Sequence, residues 1–324
     1  MKRRTVLISF LIMMVSLSVA GCKNKKADKS GYKVYYTAIE GGDYYEDWAN
    51  KLRKQAEKQG ITFDVGYAEN RIEIQDAQIK KALEEDCDVF LCGAVTSNVI
   101  SQIKASKEKP IVFINNAPDD GDLEKDQYIY VASDEFMAGR YQAEYILEQL
   151  ADKEEINVAI LKGPKDASGT FGRTNGLKQT LKASGKKINY VFEDNADWNR
   201  ETAKELLGIF LKTGISIDCV AANNDDMACG GIDAFETAGA DMDSVLFLGV
   251  DASEVGCQAI VDGKLDFTVY QPMDAQIEMA VKAAKRLAGG GSINKLDGAS
   301  ADGKYILIPF EKVDAKNISK YQKQ

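Results

Sequence analysis

GVDASEVGCQAIVDGKLDFTVYQ, residues 249–271, holds the pattern that decides the fold. The apolar run Val245–Leu248 leads into it and reads as a buried strand. Polar residues follow at once, Asp251 among them, then a helical stretch, then a second β-type run at Phe267–Gln271. Strand, helix and strand in this order make one parallel crossover, which is right-handed in nearly all known sheets.

The same rhythm extends outward. Lys33–Ala38, Thr62–Tyr67, Asp88–Leu91, Pro110–Asn115, Tyr128–Val131, Asn157–Leu161, Ile188–Phe192 and Asp218–Ala221 read as strands. Helical spacing separates them: Tyr45, Trp48, Leu52 and Ala56 after the first, Ile72, Ile79 and Leu83 after the second, and a long helix from Glu135 onward. Beyond the opening stretch, Ala275–Leu287 is a helix, Gly289-Gly290-Gly291 a turn, and Tyr305–Ile308 a last strand. About ten such units are too many for one small sheet, so the expected fold class is α/β with two doubly wound parallel-sheet lobes.

Ligands in open parallel sheets bind beyond the carboxyl ends of the strands. The residues there are Asp43 and Tyr45 after the first strand, Asn115 and Asn116 after the fourth, Trp198, Asn224, Asp251 and Gln271. Arg173 sits near the start of the helix that follows Lys162-Gly163. Planar amides, carboxylates and a guanidinium offer fixed forks to hydroxyl groups, each of which both donates and accepts. Flat aromatic faces cover the apolar C–H patches of a sugar ring. This is the chemistry a neutral polyol requires.

Composition excludes several classes. The net charge is −9, and an acidic chain is a poor partner for nucleic acid. There is no histidine, which removes Ser–His–Asp triads, Cys–His pairs and most zinc sites. Asp119-Asp120-Gly121-Asp122 lacks the spacing and distal glutamate of a calcium loop and reads as a solvated acidic turn. No metal and no cofactor is expected. Cys87 and Cys92 flank one strand, roughly 16 Å apart along it, too far to bridge. Most of the cysteines read as small buried hydrophobes, with a Cys219–Cys229 bridge left open.

The N-terminus supplies an address. Lys2, Arg3 and Arg4 precede an apolar run from Val6 to Val19, which ends in Ala20-Gly21-Cys22. A basic start, a short apolar stretch and small residues before a cleavage point make a secretory signal peptide. Its loss, with three positive charges and no acid, takes the net charge from −9 to −12. A cysteine directly after Val-Ala-Gly resembles a bacterial lipobox, which implies lipidation of Cys22 and an extracytoplasmic site at the cell membrane.

At the strand ends the chain resembles the periplasmic sugar-binding proteins of the ribose and galactose/glucose type. The resemblance rests on NNDDMACGGIDAFETAG from Asn223, the opening stretch from Gly249, Asp197-Trp198, SDEFMAGRYQAEYI from Ser133 and RTNG from Arg173. It covers residues 33–313 and implies two doubly wound lobes joined by three crossing strands, with the ligand between them. The crossings would fall near Ala132–Asp134, Tyr270–Pro272 and Lys295–Asp297. The implied domains are a signal peptide at 1–21, lipidated Cys22 with a flexible tether at 22–32, a first lobe of 33–132 plus 272–294, a second lobe of 135–269 plus 297–313, and a soluble tail at 314–324.

By the same resemblance, Asp43 and Tyr45 take polar and aromatic positions in the first lobe, with Tyr44 as a possible third. Asn115 binds hydroxyls with Asn116 beside it, Arg173 clamps hydroxyls, Trp198 is the second stacking wall, and Asn224, Asp251 and Gln271 complete the cleft. Departures leave the sugar open. Ala167 and Gly169 stand where galactose-type members carry histidine and aspartate, and the stretch between Ala151 and Ile156 has no calcium loop. Asn115-Asn116 stands where ribose-type members carry Asp-Arg.

Each residue also has a plainer reading. Trp198 could be core, Asp251 and Asn224 could cap helices, and Arg173 could be a surface ion-pair partner. The implied function is capture of a monosaccharide or related polyol and delivery to the membrane subunits of an ABC transporter, by a monomer that breaks no bond. A sugar sensor that presents its closed form to a chemoreceptor or sensor kinase is the alternative. A hydrolase using carboxylates such as Asp43 and Asp251 is a third. A repressor is excluded by the acidic charge, the export signal and the lack of a helix-turn-helix.

Overall fold

A computed structural model describes residues 31–322. The expected signal peptide and Cys22 lie outside the described residues. The first sheet contains β1 (Lys33–Ala38), β2 (Thr62–Tyr67), β3 (Val89–Gly93), β4 (Ile111–Ile114) and β5 (Tyr128–Ala132). Its helices are α1 (Asp43–Lys58), α2 (Ile72–Glu84) and α3 (Ile100–Ala105). The second sheet contains β6 (Glu155–Lys162), β7 (Lys187–Asn195), β8 (Cys219–Ala222), β9 (Leu246–Leu248) and β10 (Phe267–Tyr270). Around it lie α4 (Glu135–Gln149), α5 (Ser168–Ala183), α6 (Arg200–Leu211), α7 (Asp225–Ala238) and α8 (Glu254–Val261). The chain then returns to the first lobe through α9 (Met273–Ala288), which packs there, and ends in β11 (Tyr305–Leu307) and β12 (Glu311–Asp314).

Each sheet has six strands, in the orders β11-β5-β4-β3-β1-β2 and β12-β10-β9-β8-β6-β7. All ladders are parallel except β10–β12. The strands at the centre of each sheet are buried on both faces, which is why they read as continuous apolar runs rather than alternating ones. On the first lobe α1 turns Trp48, Leu52 and Ala56 inward at helical spacing, and all three are fully buried. Burial of a side chain the size of Leu52 contributes about 2 kcal/mol.

The C-terminal segment departs from expectation. β11 joins the first sheet, parallel to β5, with Tyr305 opposite Tyr130 and Ile306 buried in the first-lobe core. The last crossing therefore lies at 308–310 rather than 295–297, because Ile306 finds its apolar partners in the first lobe. Only β12 belongs to the second lobe, where Glu311 pairs with Tyr270. Nor is the described part of the expected tail, 314–322, free: Ile318 is buried against the second lobe, and the Tyr321 ring lies 5.0 Å from that of Tyr270. At the other end Tyr32 is packed rather than part of a tether, and its carbonyl accepts from Thr62 N at 2.9 Å. Cys87, Cys92, Cys219, Cys229 and Cys257 are all buried free thiols, so the Cys219–Cys229 bridge is not formed.

Candidate functional site

The carboxyl ends of both sheets face one another across a cleft, and Arg173 stands at its centre. Its side chain is 6 % exposed although it carries a full charge. Four acceptors surround it: Glu135 Oε2 at 2.6 Å from Nε, the Asn223 carbonyl at 2.6 Å and Asp251 Oδ1 at 3.3 Å from Nη1, and Gln271 Oε1 at 3.5 Å from Nη2. The planar guanidinium suits this fan, since its donors are fixed in direction. The Trp198 ring lies over it, with Cζ 5.7 Å from the ring centroid. Arg173, Trp198, Asp251 and Gln271 are thus brought together from four separate elements.

The backbone that presents these residues is unusual. Asn115, Trp198 and Asp251 have φ of 65°, 62° and 112°, a region that side chains with a Cβ rarely occupy. Such conformations persist only where the surroundings enforce them, and they concentrate at binding sites. At Trp198 the enforcement includes Gly163, whose missing side chain leaves room for the indole: a Cβ there would collide with the ring.

Asp251 does not cap the helix that follows it. Ser253 does, accepting from Gly256 N at 3.2 Å, and the Asp251 carboxylate is left to the cleft, 33 % exposed. Burial raises its pKa above the usual carboxylate range; Arg173 opposes this and Glu135 adds to it. Asn224 is a cap: its Oδ1 accepts from Met227 N at 3.0 Å.

On the first lobe the two tyrosines diverge. Tyr45 packs against the core, and its ring meets Tyr44 edge-on at 5.2 Å. Tyr44 is 48 % exposed. Burial of its hydroxyl and then the charge of Asp251 push its pKa up to about 12. Asp43 is exposed at the start of α1, and among the described contacts none ties it to Arg173. Asn116 donates to the Ala94 carbonyl at 2.9 Å, while Asn115 Oδ1 is buried without a partner among the described residues. Tyr130 donates to the Asn115 carbonyl at 3.1 Å. The lobes meet directly where Ala117 N of the first donates to Ser168 Oγ of the second at 2.9 Å.

Three contributors were not singled out from the sequence: Glu135, Asn223 and Asp225. Glu135 is the first residue of α4, directly past a strand end, and that position was the available signal. A separate cavity of about 420 Å³ lies at the opposite ends of the first-lobe strands, near Tyr32. Its cations are already engaged, Lys285 with the Gln59 carbonyl at 2.9 Å, Arg286 with that of Ser292 at 2.6 Å and Lys282 with Glu278 at 2.5 Å. The cleft remains the candidate site.

Residues 34–292 match the family model described as a periplasmic binding protein domain. The chain belongs to that family. Among periplasmic binding proteins, a Rhizobium meliloti relative named for rhizopine binding is 30 % identical over 281 residues, covering 86 % of this chain and 85 % of its own. The ribose import binding protein of Bacillus subtilis is 25 % identical over 298 residues, 90 % of this chain and 94 % of its own. Among solved structures, an ABC transporter solute-binding protein from Bacillus halodurans C-125, with bound myo-inositol, superposes with a TM-score of 0.77 at 28 % identity. The superposition covers 90 % of this chain and 98 % of that one. The two-lobed fold is thus that of the periplasmic binding proteins, whose family name implies work outside the cytoplasm.

Proposed function

We propose that this periplasmic binding protein captures a monosaccharide or cyclic polyol in the interlobe cleft and delivers it to an ABC permease. The observation that carries the reading is the Arg173 constellation. A buried guanidinium is shared by Glu135, Asp251 and Gln271 beneath the Trp198 ring, with Tyr44 opposite. In this reading Arg173 and the free Asp251 oxygen take ligand hydroxyls, and Gln271 and the Asn224 amide donors complete the second-lobe side. Tyr44, with Asp43, Tyr45, Asn115 and Asn116 around it, provides the first-lobe side, and Trp198 stacks on the ring face. Affinity comes from hydrogen bonds formed in a desolvated space, and no bond is broken. The lobes pivot on the three crossings at 133–134, 271–272 and 308–310.

The names of the relatives support a sugar or polyol and an import role. Lipidation of Cys22 would hold the lobes near the permease; it is supported by the Val19-Ala20-Gly21-Cys22 string, and mass spectrometry of the mature N-terminus tests it. Calorimetry of the mature protein against myo-inositol, D-ribose, D-xylose, D-galactose and D-allose tests the ligand class. Binding of at least one in the micromolar range or tighter is expected. Silence across the panel at millimolar concentration would overturn the sugar reading.

A further inference from the structure

Asp225 is a fully buried carboxylate that touches neither Arg173 nor the cleft surface. It opens α7, one residue after the cap Asn224. Three donors reach it: Ser253 N at 2.7 Å and Ser253 Oγ at 3.0 Å on Oδ2, and Thr268 Oγ1 at 2.6 Å on Oδ1. Thr268 Oγ1 in turn accepts from Ala252 N at 3.3 Å, so the carboxylate reaches that residue through the hydroxyl. The Asp225 backbone N–H donates to the Val250 carbonyl at 2.9 Å. Its partners therefore bracket residues 250–253 on both sides.

That short turn is one of two strained stretches of the second lobe, the other being Asp197-Trp198. Asp251 and Ala252 have φ of 112° and 48°, and neither is glycine. The glycines sit instead where the carboxylate needs room: a Cβ at Gly249 or at Gly256 would collide with Asp225. Burial, with the charge of Asp251 adding to it, pushes the Asp225 pKa up to about 8, and the hydrogen bonds from Thr268 and Ser253 oppose that shift. The group gathers acceptor positions for a backbone amide and two hydroxyls that fix one strained turn.

We propose that Asp225 is a positioning residue of the cleft: its carboxylate holds the 251–253 turn and thereby sets the Asp251 side chain against Arg173. This rests on the reading that Asp251 contacts ligand. Asp225→Asn keeps one acceptor oxygen and turns an NH2 group toward a donor. Thr268→Val removes the hydroxyl relay while leaving Asp225 in place.

The test is a double-mutant cycle read by calorimetry with the tightest binder among myo-inositol, D-ribose, D-xylose, D-galactose and D-allose. Asp225→Asn is expected to weaken binding by about tenfold or more, as loss of a buried hydrogen bond would. In the Asp251→Asn background the same change should cost almost nothing, because the residue it acts through is gone. Thr268→Val should follow the same pattern with a smaller loss. Equal, additive losses in both backgrounds would overturn the proposal and leave Asp225 a general stabiliser. A second measurement needs no ligand: carbon-13 titration of the Asp251 carboxyl in the free protein. In Thr268→Val, which also stands in should Asp225→Asn fail to fold, that carboxyl should titrate nearer the ordinary value of 3.8 as the turn opens to water. An unchanged titration in Thr268→Val would overturn the proposal even if no sugar on the panel binds, an outcome that by itself bears only on the ligand class.

Discussion

Arg173 Nη1 lies 3.3 Å from Asp251 Oδ1, although the two residues are 78 apart in sequence. Arg173 lies in the second turn of α5, and Asp251 follows β9 in the same lobe. A second carboxylate, Glu135, takes the Nε edge of the guanidinium at 2.6 Å. One cation is therefore shared by two acids in a cleft that excludes much of the water.

Removing the cation should be expensive. Arg173→Ala leaves Glu135 and Asp251 facing each other unpaired, a loss expected to cost about 3–5 kcal/mol of stability. Arg173→Lys should recover only part of it, since an ammonium cannot serve a planar fan of four acceptors. Urea unfolding checks the stability, and calorimetry should find no sugar binding in either variant.

Binding should weaken in acid, and earlier than an ordinary carboxylate would dictate. Burial lifts the Asp251 pKa above its ordinary 3.8, so its proton returns at a higher pH. Protonation removes the partner of Arg173 and an acceptor for ligand hydroxyls, so affinity should fall as pH drops through this raised value. Stability carries the opposite sign. The folded state holds the proton more tightly than the unfolded chain, so this group's contribution declines as pH rises from 3.8 to the raised value. Asp251→Asn should flatten both dependences, and affinity and urea midpoints measured from pH 4 to 8 would show it.

Trp198 is one of two tryptophans, and the other, Trp48, is fully buried beneath α1. Ligand should therefore change the emission of Trp198 and leave Trp48 silent. Trp198→Ala should weaken binding by about fivefold or more, since stacking is worth about 1 kcal/mol beyond the area covered. Unaltered affinity would remove Trp198 from the binding surface.

Gly163→Ala should act on the same ring from behind. The added methyl would overlap the indole and Thr170, so the ring must move toward the cleft. Overpacking of this kind costs about 1–3 kcal/mol. A drop in melting temperature together with loss of the ligand-induced fluorescence change is expected.

Ser168→Ala removes the acceptor for Ala117 N and with it a hydrogen bond that joins the lobes. The ligand-free protein should then spend more time open, with a larger radius of gyration in solution scattering. Affinity should fall a few-fold, by about 1 kcal/mol for a bond of this type. An unchanged scattering profile would mean that the bond contributes nothing to closure.

Much of the fold was legible because its signal is local and repeated. Buried strands such as Ile111–Ile114 and helical faces such as Trp48-Leu52-Ala56 are written in apolar spacing. The site was legible only as a set of strand-end positions. Which of Tyr44 and Tyr45 turns away from the core depends on the roll of α1 on its sheet: Tyr45 packs against the core, and it is Tyr44 that feels the charge of Asp251. Glu135 went unread because a glutamate opening a helix is ordinary until Arg173 is found beside it. Ser253, not Asp251, caps α8, because the helix begins at Glu254, three residues past Asp251.

The sequence by itself determined the class of the molecule. Strand–helix alternation dictated parallel sheets, the absence of histidine removed whole families of chemistry, and the strand ends marked where a ligand would meet the chain. Only the tertiary structure decided which lobe claims each segment and which side chains meet. β11 went to the first sheet because Ile306 is buried there, and Arg173 gained its acids from residues 38 and 78 positions away. Apolar periodicity is a property of neighbours in sequence. The choice of partner across a cleft is a property of packing and desolvation, which exist only once both lobes have formed.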